Sequence, residues 1–374
     1  MNSNKRICAY VNLENLKKNV STIKNILNRN TKIMAVVKAD GYGLGAVPVA
    51  KYISTIDYIY GFAVATIEEG VALREAGISK PILILGYTFP EDFPEMIRND
   101  ISTAVVSYKM AYELSKMASR MNRSAGIHIK IDTGMGRIGF PADDATINDI
   151  INISKLTGVH IDGVFTHFAK ADENDLTYTR NQFELFESMV KKLKAKGVDT
   201  GLAHCSNSAA AVDFHAANLD MVRLGIFMYG MWPSGEITRD LVQPNPVLSL
   251  RSHISFVKDV PAGTSISYGG TFVADKDMKI ATVPVGYADG YPRSLSGKGY
   301  VLVRGSRLPI VGRICMDQFM VDATGTNVNV GDMVTLVGSD GKENITMEKL
   351  GELSGRFNYE LSCDLNQRIP RVYK

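Results

Sequence analysis

The sequence predicts an α/β chain, a (β/α)8 TIM-type barrel over residues 1–243 followed by a mainly β domain over residues 244–374. Two observations lead there. The first two thirds hold eight short apolar runs alternating with helical patterns, and the last third holds short β-type runs separated by Gly, Pro and Asp turns. Strands that alternate with helices pair in parallel through crossovers. Eight such units in roughly 230 residues suit a closed barrel.

The eight runs are residues 33–38, 60–65, 81–85, 103–106, 127–132, 161–166, 201–205 and 221–224. Residues 46–54, 67–76, 108–121, 177–195 and 207–215 read as helices between them, and an amphipathic segment, 13–27, precedes the first strand. An open doubly wound sheet is the competitor, and it needs a phosphate loop of pattern G-x-G-x-x-G. The turn Lys38-Ala39-Asp40-Gly41-Tyr42-Gly43-Leu44-Gly45 has the spacing G-x-G-x-G instead. Glu68 and Glu69 fall inside the next helix rather than closing the second strand, which argues against a dinucleotide site. Beyond residue 248, runs at 252–257, 279–285, 300–303, 308–314, 319–322 and 333–337 read as strands, with a helix at 347–353. The hinge is expected near Pro244-Asn245-Pro246.

Composition bounds the function. Of 374 residues, 45% are hydrophobic and 22% charged, as in globular chains. Lys and Arg exceed Asp and Glu only by 42 to 39, so charge implies neither a nucleic-acid nor a membrane partner. No apolar run reaches the length of a membrane span and residues 1–6 open no signal peptide, so a soluble, cytoplasmic chain is expected. Cys8, Cys205, Cys315 and Cys363 form no C-x-x-C pair and no histidine pair has H-E-x-x-H spacing, so no metal is expected.

In such a barrel chemistry gathers at the carboxyl ends of the strands. Strand one ends in Lys38, whose amine, partly buried, would be a nucleophile able to form a Schiff base. Strand five alternates, with Ile127, Ile129 and Ile131 on one face and His128, Lys130 and Asp132 on the other. If the isoleucines meet the helices, the three polar groups enter the barrel and must satisfy one another. The following loop delivers Arg137. Strand six ends at His167, strand seven runs into Asn207-Ser208, and strand eight ends in Arg223-Leu224-Gly225-Ile226. Ser208 with the amides of Gly225 and Ile226 reads as a phosphate cradle. A Schiff-base lysine, a phosphate cradle and several arginines without a metal cluster suggest pyridoxal 5'-phosphate (PLP).

These residues, in this order, resemble the alanine racemase family, PLP enzymes built from a barrel and a β domain. The segment 36–43, with Lys38 and Tyr42, is similar to the family's PLP-lysine motif. Further matching segments are 130–137, 166–172, 207–210, 223–226, 267–269, 286–293 and 312–317, so the resemblance runs from about residue 6 to the C-terminus. It implies a racemase with two catalytic bases, Lys38 and the Tyr268 of a partner chain in a homodimer. Inverting a stereocentre removes a proton from one face and returns one to the other, which two groups must share. The implied PLP set is Lys38, Tyr42, Arg137, His167, Asn207, Ser208, Arg223, Gly225, Ile226 and Tyr359. Arg223 would face the pyridine nitrogen and, having no acceptor, would donate to it. His167 and Arg223 would supply the cationic surroundings that favour a Tyr268 phenolate. Arg137 and the backbone N–H of Met316 would take the substrate carboxylate. Lys130 corresponds to a lysine that is carbamylated in some members.

Asp172, Tyr287, Arg293 and Arg313 resemble residues lining the substrate passage, an interface ion-pair network being the alternative. Leu44 stands where histidine is common and Gly41 where alanine is common. Asn358, beside Tyr359, is either a turn residue or a hydrogen-bond partner for a serine hydroxyl. Alanine and serine are both candidate substrates, because a site shaped for alanine rejects an added hydroxyl only weakly. The sequence is also similar to the soluble domain of the vancomycin-resistance serine racemases, in which case this chain is the cytoplasmic part of a membrane-anchored protein. Either product would feed peptidoglycan precursors. The rival classes are a PLP-binding protein with the same barrel but no robust catalysis, and a PLP amino-acid decarboxylase.

Overall fold

The computed structural model describes residues 6–237 and 241–374. Eight parallel strands form the first layer, in the order Met221–Leu224, Lys32–Val36, Ile59–Val64, Ile82–Ile84, Ser102–Val105, Ala125–Asp132, Val159–Phe165 and Leu202–His204. The ring is nearly closed. No ladder joins Leu202–His204 to Met221–Leu224, but Asp220 N donates to Ala203 O (3.2 Å) and Arg223 N to Ser206 O (3.0 Å) across the seam. All eight expected strands are present.

The surrounding helices start where the sequence supplies a cap. Asn12, Thr66, Ser107, Asp143 and Asn207 each accept a backbone N–H from the first turn of the helix that follows, worth about 1 kcal/mol apiece. Helix Leu13–Ile26 turns Leu16, Val20 and Ile23 inward on a 3–4 residue spacing. The buried Asn19 on the same helix donates from Nδ2 to Met228 O (3.2 Å) and Asn245 O (2.9 Å), and its Oδ1 accepts Asn245 N (2.6 Å). The segment expected as a hinge is therefore pinned to the barrel.

A ten-stranded sheet makes the second unit. Its order along the main path is Phe256–Val260, Met278–Val283, Phe319–Asp322, Ser306–Val311, Tyr300–Val303, Met333–Asp340, Leu248–His253, Ile7–Val11 and Arg371–Tyr373, and Glu343–Ile345 pairs with Met333–Asp340. Two features differ from expectation. The run at 252–257 is divided between two strands, because Ile254 N bonds to Asp332 O and Ser255 N to Thr282 O, so the chain changes partners at that corner. Ile7–Val11, too short to show a period, is a strand of this second sheet. It lies antiparallel to Leu248–His253 (Ile7↔Ser252 to Val11↔Leu248) and parallel to Arg371–Tyr373. The first and last described strands thus sit in the β unit, and one hydrophobic core runs through both units.

An ion cluster locks the turn after Met278–Val283. Asp289, fully buried, accepts from Arg6 Nη2 (2.7 Å), Arg6 Nη1 (3.0 Å), Arg368 Nε (2.7 Å) and Gly286 N (3.0 Å). Burial alone would raise its carboxyl, but the two guanidinium groups and the Gly286 amide outweigh that and hold it below the usual carboxylate range. Asp289→Asn should destabilise the protein at pH 7 by about 2–3 kcal/mol, since both arginines keep access to water. The folded carboxyl titrates below the unfolded one, so the contribution is present above the unfolded carboxylate range and lost as pH falls through the folded value. Urea midpoints of wild type and variant should converge in acid; a constant gap would contradict the assignment.

Candidate functional site

Lys38 lies two residues beyond the first barrel strand, Lys32–Val36, and opens a turn of unusual handedness. Ala39, Asp40, Gly41 and Tyr42 all have φ between 50° and 62°, the left-handed region, and three of the four are not glycine. The expectation was a glycine-rich loop; the structure is one left-handed helical turn, closed by Gly41 N to Val37 O (2.8 Å) and Gly43 N to Ala39 O (2.9 Å). The Lys38 amine is held below its usual range, first by burial, then by Arg137 and Arg223, with Glu69 and Cys363 opposing.

Inside the barrel, Ile127, Ile129 and Ile131 are buried in the core with the helices while His128 and Lys130 point inward, as the alternation requires. Asp132 instead turns its Oδ1 to the amides of Gly134 (2.9 Å), Met135 (2.9 Å) and Gly136 (3.1 Å), shaping the loop that carries Arg137. Arg223, 3% exposed, is the hub. Its Nη1 donates to His204 Nδ1 (2.9 Å) and His204 O (3.0 Å), and its Nη2 to Thr166 O (2.8 Å), Cys205 O (3.0 Å) and His167 Nδ1 (3.2 Å). These five bonds all leave from the two Nη atoms, so among the described residues Nε–H is not spent.

A guanidinium can only donate, so both histidine Nδ1 atoms are acceptors. His204 then carries its hydrogen on Nε2 and donates to His128 Nδ1 (2.9 Å). Burial, then the charge of Arg223, pushes His128 down to about 3 and His167 and His204 well below the usual range. His167 is therefore neutral, which corrects its expected role as a cation: it can offer an Nε2–H donor, and the positive charge belongs to Arg223. Burial and Arg223 bring the Lys130 amine down to about 7 over the Phe165 ring (5.1 Å).

The residues expected to form a phosphate cradle lie at one corner of the barrel. Asn207 caps helix Ser208–Asp213 by accepting Ala210 N (3.0 Å), and Ser208 Oγ accepts Gly225 N (2.9 Å). That spends the Gly225 amide and aims the serine hydroxyl hydrogen elsewhere. A Cβ on Gly225 would lie 2.6 Å from Tyr42 Oη, so the tyrosine reaches this corner only because the residue is glycine. The Tyr42 ring packs on Tyr229 (4.9 Å) and edge-on to Tyr359 (6.2 Å), and burial keeps Tyr42 and Tyr359 protonated. Ile226 is buried, and Leu44 is fully buried in the core.

Arg137 is exposed, makes no hydrogen bond among the described residues, and so is free for an anion. Tyr268 is 69% exposed and has no hydrogen bond or ring contact to the barrel of its own chain among the described residues. Its backbone is set by Ser267 (φ 66°), whose Oγ donates to Arg313 O (2.6 Å). Met316 gives its carbonyl to Ala288 N (3.0 Å). Asp172 is half-buried on the barrel, while Tyr287, Arg293 and Arg313 are exposed on the β unit; no ion pair joins Asp172 to either arginine among the described residues. Asn358 is neither a turn residue nor free: it opens helix Asn358–Cys363, and its Nδ2 donates to Trp232 O (3.1 Å) and Glu348 Oε1 (3.4 Å). Sequence reading passed over His128, His204 and Glu69 as site residues; only the buried-face position of the histidines signalled them.

Lys130 yields a pH test. Its folded value, about 7, lies below the unfolded one, so the unfolded chain binds more protons between about 7 and the ordinary lysine range, and stability gained from Lys130 rises with pH across that window. In CO2-free buffer, Lys130→Met should flatten the increase in urea midpoint between pH 6 and 9. An unchanged slope would contradict a buried amine.

Comparison with known proteins gives a consistent result. Residues 11–233 match the family model for the alanine racemase N-terminal domain and residues 247–373 that for its C-terminal domain. The alanine racemase of Methanococcus maripaludis is 44% identical over 368 residues, covering 98% of either chain, and that of Halothermothrix orenii 44% identical over 99% of this chain and 98% of its own. Among solved structures, the Clostridium difficile 630 alanine racemase superposes with a TM-score of 0.96 at 41% identity (100% of this chain, 96% of that one). The E. faecalis enzyme does so with 0.93 at 37%, covering both chains fully.

Proposed function

This chain belongs to the alanine racemase family, whose members depend on PLP, and from that premise we propose that it interconverts L- and D-alanine with Lys38 and the partner's Tyr268 as the two bases. The observation that carries the reading is the Lys38 amine, held toward its neutral form at the barrel mouth between a vacant-handed Arg137 and the donor hub of Arg223.

The residues present fit the cofactor. Lys38 would hold it covalently; the Ser208 hydroxyl, the Ile226 amide and the Tyr42 and Tyr359 hydroxyls would hold its phosphate, in the corner that the missing Gly225 side chain leaves open. The unspent Nε–H of Arg223 suits a neutral pyridine nitrogen. When bound, PLP draws electrons from the substrate Cα and so makes its proton removable. The protein does the rest. Arg137 and the Met316 amide orient the carboxylate. Lys38 Nζ takes or returns the proton on one face of Cα, and the partner's Tyr268 Oη does so on the other. His167 Nε2–H can stabilise the phenolate while staying neutral itself. A cationic arginine at the ring nitrogen leaves a weaker electron sink than a carboxylate partner would, which favours rapid return of the proton over transamination. A homodimer supplies the second base, since Tyr268 stays exposed in a single chain. The proposed division is 1–243 and 244–374, with Ile7–Val11 lent to the second unit, and Asp172, Tyr287, Arg293 and Arg313 line the passage between subunits.

Lys130 adds an acceptor. An amine near 7 is substantially neutral at physiological pH and attacks CO2, forming an N–C bond, losing a proton and becoming a carbamate anion that pairs with Arg137. A serine preference, and with it a part in vancomycin resistance, would rest on Asn358 Oδ1, which accepts Tyr359 N (3.1 Å) and keeps a second lone pair, since both Asn358 amide hydrogens are taken.

The test is incubation with L-alanine and resolution of the enantiomers. D-alanine should form; CO2 release, or no D-alanine, would overturn the reading. Tyr268→Phe should bind PLP normally yet lose on the order of 100-fold or more in turnover, and wild-type turnover would show that the second base is another group. Carbon-13 NMR under labelled CO2 should show a carbamate signal that Lys130→Ala abolishes; its absence from wild type would end the carbamate assignment.

A further inference from the structure

The left-handed turn after Lys38 is disfavoured at each of its three non-glycine residues, so its shape has to be imposed from outside. One carboxylate does this next to Lys38. Glu69 Oε1 accepts Ala39 N (2.6 Å) and Oε2 accepts Ala65 N (2.7 Å). Ala39 directly follows Lys38, and Ala65 directly follows the strand Ile59–Val64. Pairing between these neighbouring strands ends with Val36↔Ala63 and Val37 N to Ala63 O (2.9 Å). Glu69 therefore takes over where the ladder stops, and clamps the two strand ends together.

Nothing in its own helix demands this. Glu69 is the third residue of helix Ile67–Glu75, and its amide bonds to the capping Thr66 Oγ (3.4 Å). A glutamate there ordinarily turns back to the amide of the capping residue; this one passes over Thr66 and spends both oxygens on Ala65 and Ala39. The groups that act most on the Lys38 amine are Arg137, Glu69, Cys363 and Arg223, and the carboxylate among them is Glu69. The far end of the turn is held separately, by Asp40 Oδ1 on Ala46 N (2.8 Å) and by Arg371 Nη2 on Gly43 O (3.0 Å).

We propose that Glu69 is the positioning residue of this site: its carboxylate fixes the turn that aims the Lys38 amine and sets a negative charge against the cations around it. The assignment rests on Lys38 being the PLP lysine and a base. Three variants of the holoenzyme test it. Glu69→Ala removes both acceptors and the charge. Glu69→Gln keeps the shape and one acceptor but sets its NH2 against the other amide, and it carries the test if Glu69→Ala does not fold. Lys38→Ala is the control for the underlying reading.

Glu69→Ala should lower kcat by on the order of 100-fold with KM little changed, the effect of a reacting group displaced by about an ångström, and Glu69→Gln should fall between. In the direction in which Lys38 is the base, the acid limb of the kcat–pH profile should move to lower pH in both variants, because the carboxylate that favours the protonated amine is gone. A merely structural role would leave that limb in place. Wild-type kcat and an unmoved limb in Glu69→Gln would overturn the proposal. Visible cofactor absorbance persisting in Lys38→Ala would instead overturn the assignment of the lysine, whatever Glu69 does.

Discussion

The hydrogen bonds of Arg223 are the constraint on which the rest of the site depends. Its two terminal nitrogens gather the carbonyls of Thr166, His204 and Cys205, the ends of barrel strands six and seven, at the seam where no ladder closes the ring. The same guanidinium fixes the tautomers of His167 and His204 and, through His204, that of His128. Burial, and after it the charge of this cation, accounts for the neutrality of the histidines near it and for the low Lys130 amine. Closure of the fold and the electrostatics of the site are thus one arrangement.

Lys38 has the opposite problem: a turn that must be held rather than one that holds. Three non-glycine residues in left-handed conformation persist because groups on three other elements overdetermine them: Ala46 on the next helix, Glu69 on the one after it and Arg371 at the C-terminal strand. The β unit therefore reaches back to the barrel's reactive corner, as Tyr359 also does beside Tyr42. Removing the β unit would leave the lysine turn without part of its support, a reason for the two units to share one core.

The periodicities made the barrel legible, because short β-type runs alternate regularly with helical patterns and helix caps are local signals. Strand-end chemistry was legible for the same reason: a residue such as Lys38 or Arg223 ends an apolar run. What sequence could not supply was anything set by distant pairing. Ile7–Val11 became a β-unit strand only through Leu248–His253 and Arg371–Tyr373. Glu69 looked like an ordinary helix residue because its partner, Ala39, is thirty positions away. The charge of His167 was misread because a ring's protonation follows its burial and its neighbour, neither of which is written in its own segment.

In the proposed mechanism a cationic Arg223, with neutral histidines about it, offers a donor to an unprotonated cofactor nitrogen. Nitrogen-15 NMR of the holoenzyme carrying PLP labelled at the pyridine nitrogen tests it directly. The expected signal is that of a neutral, hydrogen-bonded pyridine that moves in Arg223→Glu toward the pyridinium position. A pyridinium signal in the wild-type enzyme would contradict the account.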